Sequence, residues 1–391
     1  MSTKPVDTET GVEITDQFQR FNQKNDIYNR CVWDADIKSE KATAFFESHL
    51  TPLSRPRKTE GYTSKDFALR NAAWHLADFI SDLKEEEQDR REGFLDAFSI
   101  YRPGSETRLP VDTPEKMSRE IKQTATFFGA DLTGICDYDE RWVYSKKYSR
   151  RHLAEKSIDL PDGIKFVIVI AREMDFETIK TGPSALSSAA SGYGYSQDIL
   201  TLLSLAQYIR NLGYRAVASL NDTALDIPLA IQAGLGEYGR NGLLITKEFG
   251  PRVRLGKIFT DLPLVADKPV KFGVKKFCNV CRECANACPS RAIPFFEPSE
   301  RTASISSIKG VKKWSILPEK CFTFWANQNT DCSICIRACP YNKNYEKWYF
   351  RLGRFFAGTC LRRMILSLQR MFNFGARIKP HRWWSRQTLK K

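Results

Sequence analysis

Eight of the eleven cysteines fall into two groups whose spacing suits iron–sulfur chemistry. Cys278, Cys281, Cys284 and Cys288, the last followed by Pro289, form the run used by bacterial two-cluster ferredoxins. Three thiolates on one tight loop can each reach a different iron of one cubane. The fourth, after a longer step and a proline, points to a neighbouring cluster. Cys321, Cys332, Cys335 and Cys339 repeat the closing triplet and end on Pro340. The pattern predicts two [4Fe–4S] clusters with crossed ligands. One takes Cys278, Cys281, Cys284 and Cys339, the other Cys288, Cys321, Cys332 and Cys335. Zinc is the weaker alternative for the second group, because tetrahedral zinc sites rarely carry two Cys-Pro endings and a partner run. Cys31, Cys136 and Cys360 lack partner spacing and read as core or incidental thiols.

A second chemical signal is Gly234-Leu235-Gly236-Glu237-Tyr238-Gly239, which matches the dinucleotide-binding pattern G-x-G-x-x-G. Its context argues against that reading. A strand should precede it and a helix follow, but Ile227 to Ala233 reads as helix and Asn241 to Thr246 as strand. The glycines suit a tight turn or close backbone approach to another large cofactor.

The elements that must position these groups follow from periodicity. Residues 65 to 100 show apolar residues at helical spacing, including Phe67, Leu69, Ala72, Ala73 and Leu76. Residues 1 to about 60 read as partly helical and loosely attached. Thr113-Pro114 reads as a helix cap and first turn, with the helix running to about Phe128. Strands are expected at 131–136, 165–171, 214–220, 242–246 and 253–262. Helices are expected at 198–212, ending on Gly213, and at 223–233. The chain divides as 1–112, a mostly helical extension; 113–270, a central domain; 271–345, the cluster domain; and 346–391, a basic tail.

Composition bounds the function classes. The chain has 391 residues, 42% of them hydrophobic and 27% charged, as in a globular protein. Its longest strongly apolar run, 166–171, is far short of the roughly 20 residues of a membrane span. The net charge of +14 is concentrated at the end, where 347–391 holds 12 Lys and Arg with no Asp or Glu. The remainder is nearly neutral, so a DNA-binding reading is not favoured. The N-terminus has no basic-then-apolar leader pattern, and Arg90-Arg91 is followed by Asp96 rather than an apolar run. Cytoplasmic residence is therefore the expectation, in which cysteines serve as metal ligands more often than as disulfides.

Several segments together resemble one family. They include Gly61-Tyr62 with Asn71-Ala72-Ala73-Trp74, Asp139 to Tyr144, Ser191-Gly192-Tyr193-Gly194-Tyr195-Ser196 and Asn221-Asp222-Thr223-Ala224. Ala233 to Thr246, Phe249 to Arg254 and Cys321-Phe322-Thr323-Phe324-Trp325 complete the set. This multi-part pattern, running from about residue 60 to the tail, resembles the corrinoid-dependent reductive dehalogenases. Epoxyqueuosine reductases share the core and the clusters. The resemblance implies an α+β fold, with a nitroreductase-like corrinoid-binding domain followed by a bacterial-ferredoxin-like 2[4Fe–4S] domain. It implies a base-off cobalamin held near Gly234, Gly236, Gly239 and Asn241, and reductive removal of halide from an organohalide. None of the four histidines lies in an Asp-x-His-x-x-Gly context that would supply a lower cobalt ligand.

The same resemblance places the proton-donating tyrosine on Tyr195, its activating cation on Arg254 and a substrate- or tyrosine-orienting amide on Asn221. A nearby cation would lower a phenol's pKa and suit it to proton donation. Tyr193 is an alternative donor, because an extended backbone would put both tyrosines on one side. Lys257 is the alternative cation, and Arg254 has a structural alternative in pairing with Glu237 or Asp261. No fused flavin module is visible, so a separate low-potential donor, a ferredoxin or flavodoxin, is expected. The tail mixes Trp, Phe, Leu and Met with arginines. It suits an anionic membrane surface or an acidic donor, or packs back on the cluster domain. Reduction of epoxyqueuosine in tRNA and simple electron carriage are the alternative functions.

Overall fold

A computed structural model describes residues 11–51, 57–88, 104–150, 152–158, 160–302 and 304–386. Arg90, Arg91 and the last five residues lie outside the described residues. The centre is a four-stranded antiparallel sheet of β1 (Leu132–Asp137), β4 (Phe166–Glu173), β5 (Ala216–Ser219) and β8 (Val253–Thr260), in the order β1-β4-β8-β5. Between them in the chain lie two small hairpins, β2 (Lys147–Ser149) with β3 (Ala154–Lys156), and β6 (Glu237–Tyr238) with β7 (Leu244–Ile245).

The sheet is a middle layer, and β4 shows why its sequence is a nearly unbroken apolar run. Val167, Val169 and Ala171 enter one core and Ile168 and Ile170 the other. Successive side chains point to opposite faces, so a strand covered on both sides must be apolar throughout.

Helices α1 (Ile27–Trp33), α2 (Glu40–Leu50), α3 (Ser64–Gln88) and α4 (Pro114–Phe127) precede the central strands or begin the central layer. Thr113 caps α4 as expected, accepting from Lys116 N, with Pro114 in the first turn. A short α5 (Phe176–Ile179) leads to α6 (Ala185–Asn211), which covers one face of the sheet together with α4. Helix α7 (Asp226–Gln232) covers the other face.

The 27-residue α6 corrects an expectation. The sequence suggested a helix only from Asp198, with the Ser-Gly-Tyr-Gly-Tyr stretch extended before it. That stretch contains poor helix formers, yet tertiary burial holds it helical. Ser184 caps it, and nearly every residue from 185 to 192 is buried. Its two glycines are spatially required. A Cβ at Gly192 would lie 2.3 Å from Trp74 of α3, and one at Gly194 would lie 2.6 Å from Arg254 of β8. Gly213 ends the element with φ +84°, as expected of a C-terminal cap.

The cysteine-rich part follows as α8 (Val274–Val280), α9 (Glu283–Ala287), α10 (Pro318–Gln328) and α11 (Ile334–Arg337). The N-terminal segment is not loosely attached over its described residues. Ile14 pairs with Val311 as a β-bridge, and Phe45 of α2 packs on Phe322 of α10. The tail forms α12 (Trp348–Ala357), α13 (Arg362–Met371) and α14 (Pro380–Trp384). Helix α14 packs back: Trp383 Nε1 donates to Thr178 and Trp384 Nε1 to Asp66, each at 2.8 Å. Helices α12 and α13 leave Trp348, Phe355, Met371 and Phe372 exposed.

Candidate active site

Tyr195 sits on α6 at the end of the sheet. Its hydroxyl accepts hydrogen bonds from Arg254 of β8 and from the side-chain amide of Asn221, which lies just after β5. The Arg254 guanidinium lies 4.0 Å from the centroid of the Tyr195 ring, and Trp74 packs on that ring at 4.9 Å. Three residues distant in sequence thus converge on one phenolic oxygen. Tyr193 is 60% exposed. Two residues apart on a helix is roughly 200° of rotation, so the tyrosines point in different directions. The extended-backbone argument that put them on one side does not apply.

Strand parity separates Arg254 from Lys257. Gly256 and Ile258 face α6, as Arg254 does, while Val253, Leu255 and Phe259 face α7. Lys257 shares their parity. It is fully buried, donating to Asp226 of α7 and to the Leu220 carbonyl. It takes no part at Tyr195 among the described contacts. Glu237 and Asp261 are also engaged elsewhere. Glu237 accepts from the backbone of Phe272 and Val274, and Asp261 pairs with Arg108.

Asn221 links the tyrosine to a cavity of about 1200 Å³. Phe21, Trp142, Tyr144, Leu225, Ile227 and Trp314 give it an apolar, aromatic wall, and no histidine lines it. The Trp142 indole N–H on that wall is buried and has no acceptor among the described residues. A room of this size, with an orphan donor and the Tyr195 partner Asn221 on its wall, fits a large planar cofactor.

From the glycine-rich segment the cavity is lined by Glu237, Tyr238 and Gly242. Gly234, Gly236, Gly239 and Asn241 are not on its lining. Gly236 instead lets the chain pass the Ile245 carbonyl, which would lie 2.2 Å from a Cβ. The segment runs from α7 into the β6–β7 hairpin, so the strand-then-helix setting of a dinucleotide fold is absent there.

Arg240, in the turn of that hairpin, had no role in the sequence reading. It is 1% exposed and donates to the carbonyls of Cys278, Cys281, Pro294 and Phe296. It therefore ties the cavity-side hairpin to the first cysteine loop. A basic residue between glycines in an otherwise neutral turn was the available signal.

The cysteines lie in two neighbouring groups, with Cys284 packed near Cys288 and Cys335. Cys278, Cys281 and Cys339 share one apolar cluster with Phe277, Trp314 and Tyr341. Burial raises the Cys339 thiol well above its usual range, and Cys278 and Cys281 are the next causes. Burial likewise pushes Cys321 up to about 12, followed by Cys332 and Cys288. Cys335 is raised to about 12 by burial, then by Cys321 and Cys288. Cys284 lies close to both sets, feeling Cys339 and Cys278 before Cys335. Among the described residues no three His, Cys, Asp or Glu side chains are placed to share one metal ion. Cubane thiolates bind separate irons and stand further apart. Buried thiols that resist ionising on their own are a donor set that a cationic cluster would satisfy.

Comparison with known proteins agrees with this arrangement. Residues 277–343 match the 4Fe-4S dicluster domain family. A tetrachloroethene reductive dehalogenase of Desulfitobacterium hafniense is 37% identical over 303 residues, covering 66% of this chain and 54% of that protein. The enzyme of the same name from Sulfurospirillum multivorans is 33% identical over 271 residues, covering 62% and 54%. An epoxyqueuosine reductase of Aliivibrio fischeri is 28% identical over 261 residues, covering 59% and 68%. Among solved structures, a catabolic reductive dehalogenase, NpRdhA, superposes with a TM-score of 0.73 at 22% identity, covering 95% of this chain and 49% of that one. The chain spans about half the length of the dehalogenases it matches.

Proposed function

We propose that this chain, which belongs with the reductive dehalogenases by sequence and fold, removes halide reductively from a small organohalide, with Tyr195 as the proton donor. The observation that carries the reading is the Tyr195 hydroxyl held by Arg254 and by Asn221, the latter on the wall of the large cavity. The net reaction takes two electrons and one proton, replaces the carbon–halogen bond by carbon–hydrogen and releases halide.

The cofactor we assign to the cavity is a corrinoid, the B12 named for one structurally similar dehalogenase. It would be held against Trp142, Tyr144 and the Gly242 turn. When bound, it supplies a low-valent cobalt able to open the carbon–halogen bond. The chain's own residues handle the proton. Arg254 places a positive charge on the phenol ring and hydroxyl, which stabilises the phenolate left after transfer. Asn221 fixes the hydroxyl from the cavity side. Trp74, packed on the ring, keeps water from that face.

The electron path we assign runs through two [4Fe–4S] clusters. One is held by Cys278, Cys281, Cys284 and Cys339, and the other by Cys288, Cys321, Cys332 and Cys335. A separate ferredoxin or flavodoxin feeds them. No helix among the described residues is long and apolar enough to cross a membrane. The exposed apolar and arginine side chains of α12 and α13 support peripheral contact with a membrane surface. The test is halide release by anaerobically reconstituted protein, with tetrachloroethene as the first substrate. Release that requires cobalamin and is lost in Tyr195→Phe supports the reading. Release indifferent to both contradicts it.

A further inference from the structure

Asp198 lies one helical turn beyond Tyr195 on α6 and is completely buried. Neither of its carboxyl oxygens has a hydrogen-bond partner among the described residues. A buried carboxyl in that state carries a large desolvation cost, so its presence in a helix of otherwise neutral side chains at this level needs an explanation.

The sheet beneath supplies one. Arg254 of β8 and Arg172 of β4 are register partners on adjacent antiparallel strands. Side chains directly opposite one another share a face and stand close together, so two like charges repel there. The α6 backbone passes over them: Gly194 comes against the Arg254 side chain, and Thr201 accepts from Arg172 at 3.3 Å. Positions 194, 198 and 201 are spaced by four and three residues, which is one face of a helix. Asp198 is thus the acid on the α6 face that passes over the arginine pair. The Nε groups of Arg254 and Arg172 are themselves buried without partners among the described residues.

We propose that Asp198 is a positioning residue that governs how much of the Arg254 charge acts on Tyr195. With a proton on Asp198, Arg254 is left to the phenol. With Asp198 ionised, part of that charge is neutralised and a negative charge stands one turn from the developing phenolate. This rests on the assignment of Tyr195 as proton donor, but its physical core is the coupling of Asp198, Arg254 and Tyr195. That coupling exists whether or not halide is removed.

The charged groups acting on Asp198 come from three elements and the loop before β1. Burial is the largest influence and raises its pKa to about 8. Arg254 and Arg172 oppose the rise, and Asp226 of α7 and Asp131 before β1 add to it.

The test is the ionisation of Tyr195 in the reconstituted protein. Phenolate absorbance is followed with pH in the wild type and in Asp198→Asn, each corrected by the same protein carrying Tyr195→Phe. Removing the anion should lower the pH at which Tyr195 ionises by about one unit. The same variant should lose an alkaline limb near pH 8 from the kcat profile while KM holds. An unchanged Tyr195 titration overturns the proposal, even if halide release fails for other reasons.

If the asparagine variant does not fold, carboxyl-labelled aspartate in the wild type and in Tyr195→Phe gives a second reading. A carboxyl titrating near pH 8 whose curve changes when the phenol is removed supports the coupling. Identical curves contradict it.

Discussion

Tyr195→Phe separates chemistry from stability. The ring stays, and with it the packing on Trp74 and the position 4.0 Å from Arg254. What disappears is one oxygen that accepts from Arg254 and Asn221. Leaving those donors unsatisfied costs on the order of 1–3 kcal/mol of stability. Asn221 lines the cavity, so solvent can recover part of that cost. A change near the lower end is expected. Loss of a general acid lowers rate by ~10²- to 10⁴-fold, which is about 3–5 kcal/mol of barrier. The variant should therefore fold, keep its iron and cluster spectra, bind substrate with little change in KM and release halide at least ~100-fold more slowly. The assay is single-turnover halide release under excess reductant, beside a thermal melt. Tyr193→Phe is the control and should match the wild type. A Tyr195→Phe rate within a few-fold of the wild type, in folded and metallated protein, would refute the assignment.

Four further outcomes follow from the geometry. Lys257→Ala strands a buried carboxylate on Asp226 and should destabilise by roughly 3–5 kcal/mol, read by denaturant unfolding, whereas Arg254→Lys should leave stability much less affected. Cys339→Ser should lose one cluster while sparing the other, and Cys360→Ser should keep both; iron content and the electron paramagnetic resonance of the reduced protein distinguish them. Arg240→Lys cannot reproduce four carbonyl contacts with one ammonium, so the Cys278–Cys284 loop should loosen and that cluster become more easily lost to chelator, with the other retained. The folded state keeps the Asp198 proton up to about pH 8, while the unfolded chain releases it near 3.8. Its contribution to stability is therefore complete below that lower value, declines as pH rises and is gone above about 8, and Asp198→Asn should flatten this part of the melting-temperature profile.

Local signals in the sequence were readable where they are chemically strict. Cysteine spacing marks the cluster-binding segment, and Cys339 packs with Cys278 and Cys281 in one apolar group. Thr113-Pro114 and Gly213 marked helix ends because a cap and a positive φ are local demands. Helix α6 was half hidden, since its first turns have strand-like and turn-like residues and are held by burial against α3 and β8 rather than by propensity.

The choice between Arg254 and Lys257 was open when only the resemblance was weighed. Strand parity would have narrowed it. The two are three residues apart in one strand and so face opposite layers. Asp198 and Arg240 were invisible as functional candidates because their meaning lies in partners far along the chain. Arg240 meets carbonyls near residues 280 and 295, and Asp198 feels the charges of arginines on two strands. The glycine-rich segment misled in part. Its glycines answer to the chain's own carbonyls, while the residues between and after them, Glu237, Tyr238 and Gly242, line the cavity.

A corrinoid in the cavity that Asn221 lines, fed by two clusters, is the assignment on which the proposed chemistry depends. The most direct measurement is cobalt and iron per chain after anaerobic reconstitution with cobalamin, iron and sulfide, followed by gel filtration. About eight irons and one cobalt are expected for each chain, with the cobalt lost when Gly242 at the cavity wall is replaced by a bulky residue. About eight irons with no retained cobalt would contradict it.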